Sequence, residues 1–309
     1  MGTMKAFIER HGLPDHYLQQ ASIWFEPIVE LLKMHRDGAK RSGDEPLIIG
    51  IHGCQGSGKT TLADYLVTSL EDKGIAACSI SLDDFYLTHQ QRLDLAQRVH
   101  PLFKTRGVPG THDIPLALST LDKLSTPLSD GDLLIPRFNK ATDDRYPKSD
   151  WTLLDQAPQV IVLEGWCLAV PSQQDSVLKF SINELEQQQD PDAIWRRHVN
   201  GYLKNEYQLL WGRIDKLIML QAPSFNCVYK WRLEQEEKLK AKQTGAGVMS
   251  ADEIQHFIQH YERLTRHALK ELPKQCDHLF QLNAKRHVIS YQEPSKQCCD
   301  DELKETGLG

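Results

Sequence analysis

Gly53, Gly58, Lys59 and Thr60 fit the spacing G-x-x-x-x-G-K-[ST] inside the run LIIGIHGCQGSGKTTLADYL, residues 47–66. A polyphosphate is wrapped by backbone N–H groups, which requires glycine where a Cβ would collide or φ must be positive. Gly53, Gly56 and Gly58 supply that freedom, with Ser57 among them. Lys59 is then expected to reach the β- and γ-phosphates, the Thr60 hydroxyl to hold Mg²⁺, and Thr61 to meet an α-phosphate. An ordinary glycine turn is the plain alternative. Every fixed position is met, however, with a strand before and a helix after, so the pattern implies a site for a nucleoside triphosphate such as ATP.

Two further acids end apolar runs. Residues 77–82 lead into Asp83-Asp84-Phe85-Tyr86, and residues 160–163 lead into Glu164-Gly165. Carboxylates at the carboxyl ends of parallel strands point into the ligand crevice of an open α/β sheet. Asp83 is placed to orient an acceptor hydroxyl and Glu164 to complete a Mg²⁺ shell. Asp83 or Asp84 capping the next helix is the competing reading, but Thr88 with Gln91 makes a better capping box there. Two polar stretches carry cations without periodicity: Arg106 to Asp113, which includes His112, and Pro136 to Pro147, which includes Asn139, Lys140 and Arg145. Both are turn-rich or aperiodic, as loops that grip substrates usually are, although for the second stretch a solvated surface loop fits equally well. Asp113 also suits the N-cap of a helix with Pro115 in its first turn.

The elements that position these residues alternate strand and helix. Apolar runs at 47–51, 77–82, 160–163, 216–220 and 277–282 read as strands, and Leu62, Leu66 and Leu70 recur at helical spacing before Gly74. Ala117, Leu121 and Leu124 mark another helix, Asp190-Pro191 opens one with Trp195, Val199, Tyr202 and Leu203 as its stripe, and Ser250 with Glu253 begins a last long one. This order predicts an α/β fold of the phosphate-loop NTPase type, a doubly wound parallel sheet with helices on both faces. Lys230 and Arg232 precede a glycine-broken stretch, 244–248, which suits a helical lid bringing cations over a transferring phosphate. On the same helix Glu234 with Lys238 and Glu236 with Lys240 read as solvated surface pairs.

Length and charge narrow the classes. The 309 residues, 40% apolar, are expected to form a helical segment over 1–45 packed on a kinase-like domain over 46–290, with a polar tail over 291–309. A net charge of −6 gives no global attraction for nucleic acid or an anionic membrane. Seven scattered cysteines without a C-x-x-C pair, and no signal-like or membrane-length apolar run, lead us to expect a reduced cytoplasmic protein. A guanine-nucleotide switch needs N-K-x-D, and Asn139-Lys140 continues as Ala141-Thr142. A motor or transporter ATPase would carry an apolar strand ending in Asp-Glu, which does not occur. A small-molecule kinase needs an acid near the acceptor, a metal-binding acid and a substrate pocket, and all three have candidates. An ATP-binding regulatory protein of the same fold is the remaining alternative.

The segments GCQGSGKTT, SLDDFYLT, RGVPGTHDIPL, PRFNKATDDR, VIVLEGW and YKWRLEQE resemble the D-glycerate 3-kinase family, relatives of uridine kinase, phosphoribulokinase and bacterial pantothenate kinase. The resemblance runs from about residue 47 to 272. It implies transfer of the ATP γ-phosphate to the 3-hydroxyl of D-glycerate, with uridine- or pantothenate-like acceptors as alternatives on the same fold. It further implies Asp83 as the acid accepting the hydroxyl proton and Glu164 as the metal-associated acid, with Lys59 at the transferring phosphate. Arg106, His112, Asp113, Lys140 and Arg145 fall in stretches that would line the acceptor site. The chain departs from the family pattern at Asn139, where an aspartate is expected before the lysine.

Overall fold

Leu47–Gly53 forms β1, buried along its whole length. Such burial follows when an uninterrupted apolar run lies in a sheet covered on both faces. A computed structural model describes residues 2–14, 16–38, 45–126, 133–242 and 249–293. The glycine-broken stretch 244–248 and the tail beyond 293 lie outside the described residues.

The strands after β1 are β2 (Ala77–Ser81), four two-residue strands β3 (Leu134–Ile135), β4 (Phe138–Asn139), β5 (Asp144–Arg145) and β6 (Thr152–Leu153), then β7 (Val160–Gly165), β8 (Lys216–Gln221), β9 (His278–Leu282) and β10 (Val288–Gln292). Six of them make one sheet in the order β10-β9-β8-β1-β7-β2. All neighbours are parallel except β10, which runs antiparallel to β9. The chain leaves β1 toward β7 and β2, and only later crosses to β8 on the other side. The carboxyl end of β1 is therefore the switch point where a crevice opens. Register places Glu164 of β7 level with Ile51 of β1 and with Ser81 of β2, so the three strand tips end together.

Helices α1 (Gly2–His11), α2 (Tyr17–Trp24) and α3 (Glu26–Gly38) precede the sheet, and α4 (Lys59–Asp72) follows β1. Leu62, Leu66 and Leu70 of α4 are buried at the expected spacing, and α4 packs on β1, β2 and β7. Phe7, Phe25, Ile28 and Leu32 join the same core, and the Phe25 ring meets Phe280 of β9 at 5.2 Å. Next come α5 (His89–Arg98) and α6 (Ile114–Ser125). The Thr88–Gln91 capping box starts α5 and the Asp113 carboxylate caps α6. Then follow α7 (Glu184–Gln189), α8 (Ile194–Lys204) and α9 (Glu206–Trp211). Last, α10 (Phe225–Lys242) packs beside α11 (Ala251–Glu271), and the Ser250–Glu253 capping box starts α11.

Three local expectations need correction. Residues 136–147 are not an open loop: β4 pairs antiparallel with β5, and β3 with β6 encloses them, in strands too short to show a period of two. The helix expected from Asp190-Pro191 begins at Ile194, because buried Asp190 turns its carboxylate onto the N–H groups of Trp195 and Arg196 and pairs with the Arg196 guanidinium. Glu236 is not on a solvated face. It is buried, paired with Arg232 one turn back, and accepts the Met249 N–H at 2.8 Å, so it ties α10 to the residue just ahead of α11.

Candidate active site

Past β1 the chain turns through Gly56 (φ +75°) and Gly58 (φ +93°), conformations that side chains rarely adopt. Gly58 is the N-cap of α4 and offers no side chain to its first turn. The N–H groups and dipole of the helix therefore face the crevice, as an anion site requires. On the first turn, the Thr60 hydroxyl donates to Glu164 Oε1 at 2.9 Å and Lys59 Nζ lies 3.7 Å from Glu164 Oε2. Glu164 is only 4% exposed, and its Oε2 has no hydrogen-bond partner. Gly53 ends β1, Ser57 is buried within the loop, and Thr61 continues α4.

Asp83 sits on a 3-10 turn (Leu82–Phe85) that directly continues β2. Its carboxylate accepts from Lys140 Nζ at 2.6 Å and from the Tyr86 hydroxyl at 3.0 Å. Burial opposes its charge, but Lys140 and Lys59 outweigh burial and hold its pKa well below the usual carboxylate range. Asp83 is therefore ionised across the neutral range. Reciprocally, the Asp83 charge raises the pKa of Lys140. Asp84 faces away, bonded to Arg137 and the Phe138 N–H, where it fixes β4 to the 3-10 turn.

A cavity of about 480 Å³ opens between these groups, lined by Lys59, Thr60, Asp83 and Glu164. Arg106 and Lys140 line it from the two basic stretches, and Arg232, Gln235, Phe257 and Tyr261 close it from α10 and α11. Two cations expected in one lid separate here. Arg232 lines the cavity with Glu236 behind it, whereas Lys230 is exposed and outside, as residues two apart on a helix must diverge.

The residues expected to line an acceptor site also divide. Arg106 lines the cavity and is held by Asp143, which also pairs with the fully buried Arg92. His112, Asp113 and Arg145 do not line it; they form the support under Tyr86. The His112 ring stacks on Tyr86 with centroids 4.5 Å apart, and its Nδ1 meets the Tyr207 hydroxyl at 2.6 Å. Burial pushes its pKa down to about 4, so the imidazole is neutral at pH 7. Arg145 donates to the Tyr86 carbonyl and to Asp113, both at 3.0 Å. Asn139 is a turn residue, its Oδ1 accepting from the N–H groups of Ala141 and Thr142, which presents Lys140 to Asp83.

Sequence reasoning passed over Tyr86, Trp166 and Tyr261. Tyr86 stood in the DDFY run and Trp166 directly after Glu164-Gly165, but an aromatic residue alone carries no site signal. Trp166 Nε1 donates to the Gly107 carbonyl at 2.9 Å and the Tyr261 hydroxyl to the Arg106 carbonyl at 3.1 Å. A Cβ on Gly107 would stand 2.2 Å from the Tyr261 hydroxyl oxygen, and one on Gly110 2.5 Å from the Tyr202 ring. The loop that carries Arg106 is thus shaped by rings from α8 and α11.

A parallel sheet with this glycine cradle at the tip of β1, and two acids at the tips of its neighbours, defines a nucleotide-binding phosphate-loop kinase. No family model matches the chain. It is 35% identical over 240 residues to the "Uncharacterized kinase mug58" of Schizosaccharomyces pombe, covering 75% of this chain and 84% of the relative. It is 32% identical over 272 residues to the chloroplastic D-glycerate 3-kinase of Arabidopsis thaliana, covering 84% of this chain and 56% of that protein. The solved structure of D-glycerate 3-kinase from Cryptococcus neoformans superposes with a TM-score of 0.68 at 26% identity, over 86% of this chain and 96% of the other. The chain belongs to the D-glycerate 3-kinase family of phosphate-loop kinases.

Proposed function

We propose that this protein transfers the γ-phosphate of ATP to a hydroxyl of D-glycerate, giving 3-phosphoglycerate and ADP. One observation supports the reading: Asp83, Lys140 and Arg106 line the same cavity as Gly56, Lys59 and Thr60 of the phosphate loop and its helix. An ionised carboxylate beside two cations suits an acceptor that brings both a hydroxyl and a carboxylate. The names of the Arabidopsis and Cryptococcus relatives agree with it.

In this reading Asp83 orients the hydroxyl and takes its proton as the oxygen attacks phosphorus. Lys59 and Arg232 balance charge on the transferring phosphoryl group. Lys140 and Arg106 hold the acceptor carboxylate. Tyr86 keeps the Asp83 carboxylate in place through its 3.0 Å hydrogen bond.

The residues present also fit Mg²⁺. Thr60 and Glu164 Oε2, which accepts no hydrogen bond, offer hard oxygens beside the cradle, while no cluster of three or more acids, histidines or cysteines occurs among the described residues. Mg²⁺ characteristically takes one or two protein oxygens and fills its shell with phosphate and water. When bound it would neutralise charge on the β- and γ-phosphates.

The test is ADP release measured with D-glycerate, uridine, pantothenate, ribulose 5-phosphate and no acceptor. D-glycerate-dependent ADP supports the reading. Turnover with another acceptor alone reassigns the substrate, and absent or acceptor-independent turnover points to a regulatory ATP-binding protein.

A further inference from the structure

Arg286 reaches the phosphate loop from 230 residues further along the chain. It lies in the turn between β9 and β10, and its Nε donates to the Gly56 carbonyl at 2.8 Å. Its guanidinium covers the Trp231 ring, 5.2 Å from the centroid, and is also paired with Glu234. The turn that presents it is braced by Asn283, whose Oδ1 accepts from the N–H groups of Lys285 and His287. Arg286 adopts φ +66°, a left-handed conformation unfavourable for a long side chain.

Trp231 occupies the other side of Gly56. It is buried, its Nε1 donates to the Ala284 carbonyl at 2.8 Å, and a Cβ on Gly56 would stand 2.8 Å from its own Cβ. Gly56 is therefore gripped by α10 and by the β9–β10 turn, which also grip each other. Because the peptide is planar, engaging the Gly56 carbonyl also fixes the Ser57 N–H, which donates to the Cys54 carbonyl at 3.2 Å and so holds the bend of the loop. The residues after Trp231 on α10 include Arg232 and Gln235, which line the cavity.

We propose that Arg286 is a positioning residue for the nucleotide: it locks the Gly56–Ser57 peptide, and with it the bend of the phosphate loop, and fastens α10, with Arg232, to the same loop. The proposal rests on nucleotide binding at this loop and is independent of the acceptor.

The test titrates Mg²⁺–ADP calorimetrically into full-length wild type, Arg286→Met and Arg286→Lys. Amide exchange is followed in the nucleotide-free proteins, with thermal unfolding as the control on folding. Arg286→Met is expected to weaken ADP about tenfold, as loss of a charge-assisted hydrogen bond does. Exchange at residues 55–57 should speed up while β8 and Tm stay near wild type. Arg286→Lys, which keeps a charged donor, should regain most of the affinity. Wild-type affinity in Arg286→Met overturns the proposal, as do equal losses in both variants with a matching fall in Tm, which mark a packing role. Should Arg286→Met not fold, Arg286→Gly, which suits the left-handed backbone at φ +66° and removes the donor, decides: weaker ADP binding with faster exchange at 55–57 supports the proposal, and wild-type values for both overturn it. A wild-type protein that does not bind ADP instead overturns the nucleotide reading itself.

Discussion

The two walls of the cavity are assembled by different means. The phosphate wall comes from one contiguous stretch, Gly53 to Thr60, and works through backbone N–H groups and a helix end. The proposed acceptor wall draws Asp83 from the end of β2, Arg106 from the loop before α6 and Lys140 from the β4–β5 ribbon. Each of its cations holds an internal acid, Lys140 with Asp83 and Arg106 with Asp143. On the proposed reading a phosphate meets backbone dipoles fixed by chain geometry as well as Lys59, which itself lies 3.7 Å from Glu164, whereas an acceptor meets only side-chain cations already paired with carboxylates. The cradle should therefore be mostly locally encoded, with Arg286 as a distant brace, and acceptor choice dispersed and easily altered.

The comparison breaks first at Lys59. Lys59→Met is expected to lower turnover on the order of 10³-fold or more, measured by coupled ADP release, because a cation at the transferring phosphoryl is lost. Asp83→Asn should lower kcat by roughly 10²- to 10³-fold. Calorimetry should find its ADP affinity within about twofold of wild type, since a neutral isostere touches only the acceptor wall. Wild-type turnover in that variant would remove Asp83 from the chemistry.

Lys140→Met sharpens the contrast: a rise of about 10- to 100-fold in acceptor KM is expected with the KM for ATP steady. The same variant removes the cation that most depresses the Asp83 pKa, leaving burial less opposed. The acidic limb of kcat/KM should then move to higher pH than in wild type, because a carboxylate whose pKa rises protonates earlier as pH falls. Smallest in its effect on turnover is Arg145→Met. It should cost about 1–3 kcal/mol of stability in urea unfolding, because Asp113 and the Tyr86 carbonyl lose a shared charged donor. Its acceptor KM should shift less than that of Lys140→Met.

The same contrast explains what could be read in advance. The β1–loop–α4 unit was legible because an apolar run, a glycine pattern and a helical repeat lie within 20 residues. Asp83 and Glu164 were legible as strand-tip acids for the same local reason. Arg145 was not, because its partner Asp113 lies 32 residues away and turns it into a strut. Glu236 matched a surface i,i+4 pattern, and its burial depends on how α10 meets the chain at Met249. The two-residue strands β3 to β6 are too short for any periodicity, and β10 follows a turn with no apolar run. Arg286 carries no motif at all; only the folded chain brings it to Gly56.

The contacts of Gly107 and Gly110 limit how this enzyme family member could acquire a bulkier acceptor. Rings from two separate helices already occupy the space beside both glycines, so widening the pocket from that side would demand matched changes in α8 and α11. The tip of the β4–β5 ribbon is held by hydrogen bonds instead: Asn139 shapes the bend that carries Lys140, and Arg106 and Arg92 donate to the carbonyls of Lys140 and Asp143. Laboratory retargeting would accordingly begin with residues 139–142, leaving the glycine loop untouched.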